Sequence, residues 1–150
     1  AVAENMMSGH VTVTGNVSHY AGATSHGGTL LVCGDASSRC GISLKGADII
    51  VKGSVGHMSA FMAQTGRMVV CGDAGETLGD SIYETKLYVR GTVASLGTDC
   101  VQKSMTEKHK NELEMLLVSA GITGADAAEF NRFGSARKLY NFKVDNADAY

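Results

Sequence analysis

Apolar and polar residues alternate along short segments of the chain, and the same alternation returns at a fixed interval. Val13, Val32, Val51, Val70 and Val89 are spaced 19 positions apart, and two residues before each stands another apolar side chain: Val11, Leu30, Ile49, Met68 and Leu87. Apolar positions at period two define one buried face of a short strand, so five such strands are predicted. Two residues after each valine comes a glycine, Gly15, Gly34, Gly53, Gly72 and Gly91, with no insertion anywhere in the series. Val17, Ala36, Val55, Ala74 and Val93 follow two positions later and suit a tight corner. Further small columns stand at Gly22, Gly41, Ala60, Gly79 and Thr98, and at Gly28, Ala47, Gly66 and Thr85.

A strand, a corner, a second short strand and another corner, repeated at constant length, describe one turn of a β-helix whose turns stack at about 4.8 Å. The predicted class is an all-β solenoid, a β-helix with 19-residue coils. A leucine-rich horseshoe fits poorly, because its leucine and asparagine ladder is missing and no repeat carries a helical period. Gly9 falls in the column of Gly28 and Gly66, so Val2 to Met7 reads as the latter part of a coil. A solenoid needs covered ends. The expectation is that upstream sequence or a neighbouring subunit covers this one.

The 19-residue register stops after Val101. Ser104 and Glu107 match the S-x-x-E capping pattern, and Leu113, Leu116, Leu117 and Ala120 recur at helical spacing before Gly121, which predicts a helix near 105–120. Asp126 and Glu129 predict a shorter helix carrying Phe130 and Phe133 and ending at Gly134. In the tail, Leu139, Tyr140 and Phe142 are expected to pack on the domain, and residues 145–150 to form a contact arm. The division expected is a β-helix over 1–103, lacking upstream coils, and a helical cap with a C-terminal tail over 104–150.

Composition sharpens this division. Of the 19 glycines, 16 fall between Gly9 and Gly97, and the chain has no proline or tryptophan. Thirteen basic and 15 acidic side chains leave a net charge of −2, which offers no field for nucleic acid or an anionic membrane. No apolar run approaches the roughly 18 residues of a membrane span. Four cysteines are too few for a disulfide scaffold, so reduced thiols in a cytoplasmic setting are expected.

Because equivalent columns stack, candidate chemistry can be tested by position. Cys33 and Cys71 share a column with Lys52 between them, which sets their Cα atoms about 10 Å apart, too far for a disulfide or one zinc ion. Cys40 and Cys100 fall in other columns. His19 and His57 share a column with Ser38 between, while His10, His26 and His109 have no partner in the register. The stretch Gly72-Asp73-Ala74-Gly75-Glu76-Thr77-Leu78-Gly79 lacks the lysine and the spacing of a nucleotide loop. An enzyme using Glu76, Asp80 or His57 as acid or base would need these groups to converge on one substrate position. Met58 and Met62 make one coil apolar where its neighbours carry Arg39, Thr77, Ser43 and Ser81, so this coil has either an adaptable binding surface or a fatter core.

The coils, with Cys40-Gly41-Ile42-Ser43-Leu44-Lys45-Gly46, Gly56-His57-Met58 and Gly72-Asp73-Ala74-Gly75-Glu76-x-Leu78-Gly79-Asp80-Ser81, resemble the GXGXG-motif domain that closes the large subunit of glutamate synthase. The chain is more similar to the stand-alone form of that domain in N-methylglutamate synthase and related complexes, including Gly134-Ser135-Ala136-Arg137-Lys138-Leu139-Tyr140-Asn141-Phe142. The third subunit of formylmethanofuran dehydrogenase is a more distant likeness. The resemblance implies a right-handed β-helix with no catalytic, cofactor-binding or metal-binding residues of its own. It implies a hetero-oligomer with a glutamine amidotransferase-like subunit and an FMN-containing, iron–sulfur synthase subunit, FMN and cluster both residing in the latter. Gly15, Gly34, Gly53, Gly72 and Gly91 are then structural coil residues. His57, Met58, Phe61, Met62, Arg137 and Lys138 are the candidate interface.

Overall fold

The structure is a computed structural model and describes residues 1–139. Tyr140, Phe142 and the expected arm at 145–150 lie outside the described residues. Five parallel strands climb the molecule: β1 (His10–Val13), β2 (Thr29–Val32), β3 (Lys45–Val51), β4 (Thr65–Val70) and β5 (Lys86–Val89). Each pairs with the next at an offset of 19 residues, as in Val11↔Leu30, Leu30↔Ile49, Ile49↔Met68 and Met68↔Leu87. The fold is a β-solenoid of about four turns.

Inside the coils the two apolar columns meet their own copies. Leu30, Val32, Ile49, Val51 and Met68 are fully buried, as is Val89. Covering one such side chain is worth about 1.5–3 kcal/mol, so the repeat supplies its own core one coil at a time. Val11 and Val13, in the first described coil, are only partly buried against it.

The glycine column has a different cause from the one that sharp corners suggest. Gly34, Gly53, Gly72 and Gly91 have ordinary φ values; what excludes a side chain is the coil beneath. A Cβ at Gly53 would land on Asp35 Oδ1 and within 2.7 Å of the Gly34 carbonyl oxygen. That carboxylate has a role of its own, for the Ser54 amide donates to Asp35 Oδ1 at 2.8 Å. The motif recurs as Asp35 N–H to Asn16 Oδ1, Asp73 N–H to Ser54 Oγ and Thr92 N–H to Asp73 Oδ1. A polar residue after each glycine therefore ties its coil to the next, and the glycine leaves room for it.

The outer face of the strands is buried too. Leu31, Ile50, Val69 and Tyr88 point away from the coil interior and pack with Leu113, Leu116 and Leu117 of helix α1 (Glu107–Ser119), together with Ala127 and Phe130. The helix lies where its spacing predicts, but its cap is Thr106, whose hydroxyl accepts from the His109 amide, and not Ser104. Ser104 lends its carbonyl to Arg132 Nε instead, at 3.0 Å.

The predicted second helix is corrected. Asp126 and Glu129 do form a capping box, but it opens only one 3-10 turn (Ala127–Glu129). Residues Asn131–Ser135 form a strand, here β7, which runs antiparallel between β5 and β6 (Cys100–Lys103). An unpaired β5 edge would leave a row of bare amides and carbonyls. The strand β7 satisfies it, setting Phe133 against Leu87 on the inner face and Arg132 beside Tyr88 on the outer. The last coil also slips by one residue. Leu78 bridges to Leu96, an offset of 18, so Thr98 leaves the column of Gly79.

Candidate interaction surface

The corner opposite the ladder glycines has an unusual backbone. In successive coils, residues 20, 22 and 24, then 39, 41 and 43, then 58, 60 and 62, then 77, 79 and 81 all take positive φ. Their amides alternate between the coils on either side: Met58 N–H donates to Glu76 O, Ala60 N–H to Cys40 O and Met62 N–H to Asp80 O, at 2.7–2.9 Å. Glycine holds the middle position in three of these corners. In the coil of Met58, Ala60 and Met62 none of the three is glycine, so this corner carries the most left-handed strain per turn.

The direction of these side chains decides between a fatter core and an adaptable surface. Ala60 and Ala63 point inward and are fully buried, whereas Met58 and Phe61 are half-buried and Met62 is 46% exposed. The methionines are surface, and the core behind them is thin. Arg39, one coil earlier, places Nη2 3.8 Å from Met58 Sδ and its guanidinium 5.9 Å from the Tyr20 ring centre. Tyr20, Arg39 and Met58 thus stack in one column of aromatic, arginine and methionine side chains, the residue types enriched in protein interfaces, with Met62 exposed on the same corner. His57 is exposed beside it. His19 Nδ1 lies 2.6 Å from Ser38 Oγ of the next coil.

Arg137 and Lys138 sit on a separate element, after β7. Asp99 straps this segment down: its carboxylate accepts from Ser135 Oγ and from the Lys138 and Leu139 amides at 3.1–3.3 Å. Asp99 itself has positive φ and falls in the column of Ser81 once the one-residue slip is counted. Counting at a strict 19 misses it.

Asp80 is committed to the next coil, accepting from the Thr98 amide at 2.9 Å and from Ser81 Oγ at 2.8 Å. Burial pushes against its charge, but those hydrogen bonds outweigh burial and hold the carboxyl below its ordinary range. Glu76 and His57 are exposed. The four cysteines are free. Burial pushes Cys40 and Cys100 up to about 12, and thiols so poor in thiolate behave as core residues.

The best-organised ionic cluster lies elsewhere and was not foreseen. Arg67 grips Asp48 with two hydrogen bonds of 2.7 Å, and Glu112 of α1 accepts from Lys86 Nζ at 3.0 Å and Tyr88 Oη at 2.7 Å. Burial alone would raise the Glu112 carboxyl; Tyr88 and Lys86, with the charges of Lys86 and Arg67, hold it low instead. The cluster clamps the helix to the sheet. The signal in the sequence was the column of Asp48, Arg67 and Lys86 on adjacent coils, which alternates charge on one outer face.

The chain is similar to Protein GlxC of Rhizobium meliloti (strain 1021). The two are 61% identical over 56 residues, which make up 37% of this chain and 25% of that protein. The matched stretch thus spans about a quarter of the relative's length. No family model matches the chain, and no solved structure matches it. No helix among the described residues is long and apolar enough to cross a membrane.

Proposed function

We propose that the chain is a non-catalytic scaffold subunit of a glutamate synthase-like, FMN-dependent complex that forms N-methylglutamate from glutamate and methylamine. In this reading it holds a glutamine amidotransferase-like subunit and a synthase subunit carrying FMN and an iron–sulfur cluster. The observation that carries the scaffold half is the outward corner of Tyr20, Arg39, Met58 and Met62 on a solenoid buried on both strand faces. A rigid support presenting adaptable methionines is suited to holding partners. The chemistry rests on the sequence resemblance of the Gly-rich coils and of Gly134 to Phe142.

The test is affinity capture of the chain from its native extract, with co-purifying proteins identified and the flavin absorbance recorded. An amidotransferase-like and a flavin-bearing subunit are expected together, and both should be lost when Met58→Glu and Met62→Glu are combined. A chain that purifies alone and turns over a substrate overturns the reading.

A further inference from the structure

A second feature lies on the far side of the sheet, where the turn after α1 approaches the column of Lys52, Cys71 and Arg90. These side chains and residues 121–124 border a shallow, open cleft of about 320 Å³, at the small end of the range for ligand sites. Arg90 is held in place by Nε donating to the Cys71 carbonyl at 2.9 Å and by the Phe130 ring, 5.9 Å from its guanidinium carbon. Lys52 is exposed. Among the described residues no carboxylate pairs with either cation. Both charges act on the Cys71 thiol, where they work against the upward push of burial.

Two cations facing one cleft could simply be serving the helix end, whose carbonyls carry partial negative charge. That need is largely met within the turn. Leu116 O accepts from the Ala120 amide, Val118 O from Gly121 and Leu117 O from Ile122. Among the described residues, the Thr123 and Gly124 amides and the Thr123 hydroxyl, all on an exposed turn, have no protein partner. Side chains at Gly121 and Gly124 would meet nothing within 4 Å, so this wall of the cleft is open. Two cations without a carboxylate partner and the free donors of an exposed turn therefore border one small, open space of mixed polarity.

We propose that this cleft binds a small oxyanion, phosphate or the carboxylate of a compact molecule, between Lys52, Arg90 and the 121–124 turn. Arg90, fixed by the carbonyl and the ring, supplies the directional donors. Lys52 closes over the ligand as a mobile point charge. The site is independent of the methionine corner and of the partners proposed above.

The test is an amide and arginine Nε NMR titration of the full chain with sodium phosphate, against sodium chloride at matched ionic strength. Saturable shifts are expected at Ile122, Thr123, Gly124 and Arg90 with phosphate. Lys52→Gln, an exposed change that should leave the fold intact, is expected to weaken them about fivefold. Shifts that rise linearly, that chloride reproduces, or that Lys52→Gln leaves unchanged overturn the proposal. So does a response to a glutamate-rich peptide with none to phosphate, which would make the cleft a docking point for an acidic chain.

Discussion

Inside the coils, Leu30, Ile49, Met68 and Leu87 stack on their own equivalents, whereas on the outer face of the same strands Leu31, Ile50, Val69 and Tyr88 meet a helix that belongs to no repeat. The inner layer is self-complementary: any coil of the right length covers the next, so stability accrues per turn. The outer layer needs one particular partner, positioned by Leu113, Leu116 and Leu117 and clamped through Glu112. One sheet thus holds a periodic core and a singular one, and they should fail differently.

The largest effect is expected from removing a side chain from each layer. Leu87→Ala and Leu113→Ala should each cost about 3–4 kcal/mol, since both residues are almost wholly buried. Hydrogen exchange separates them: Leu87→Ala should deprotect β4, β5 and β7 together, Leu113→Ala the helix and the 127–129 turn first. Equal deprotection of every strand by both variants would erase the distinction.

Within the inner layer, one column can be set against itself. Gly53→Ala forces a methyl onto Asp35 and the Gly34 backbone and should cost about 3 kcal/mol, the upper end for overpacking because backbone cannot rotate away. Gly15→Ala, where nothing lies within 4 Å, should change stability by less than about 1 kcal/mol in urea unfolding. Similar losses at both positions would show that the column is kept for another reason.

The outer layer should respond to pH through His109, which is almost fully buried. Burial and the charges of Arg132 and Lys86 push it down to about 4, while Glu112 pulls weakly the other way. Its folded value lies below its unfolded value near 6.5, so the unfolded chain binds the extra proton between the two. Stability should therefore fall as pH drops from about 6.5 to 4, by about 3 kcal/mol, and this part of the slope should flatten in His109→Gln. Glu112, also depressed, adds a loss only below its ordinary range.

Among the destabilising changes, the smallest effect is expected at the clamp itself. Tyr88→Phe removes one hydrogen bond from a carboxylate that keeps Lys86 and should cost about 1 kcal/mol, read as a modest fall in the urea midpoint.

These comparisons also mark what could be read without coordinates. The period, the strands and the inward columns were legible because a strand that stacks on its own copy leaves the same residue types at the same phase. The outer core was legible in principle, since Leu31, Ile50, Val69 and Tyr88 form an apolar column of their own, the mark of a sheet covered on both faces. Met58 and Met62 mark the methionine corner in the sequence, but composition does not say whether they face in or out. The alternating left-handed backbone turns Ala60 inward and leaves Met62 in solvent.

The sequence by itself determined the solenoid, its 19-residue coil and the helix after it, because each rests on local periodicity and on contacts between equivalent positions. Tertiary structure alone decided that 131–135 is a strand, that Thr98 leaves its column and that Arg90 and Lys52 face the turn at 121–124. The physical reason is common to all three. The open edge of β5, the slipped last coil and the helix docked on the outer face create demands between residues distant in the chain, and no local pattern records a demand that arises only once the chain has folded.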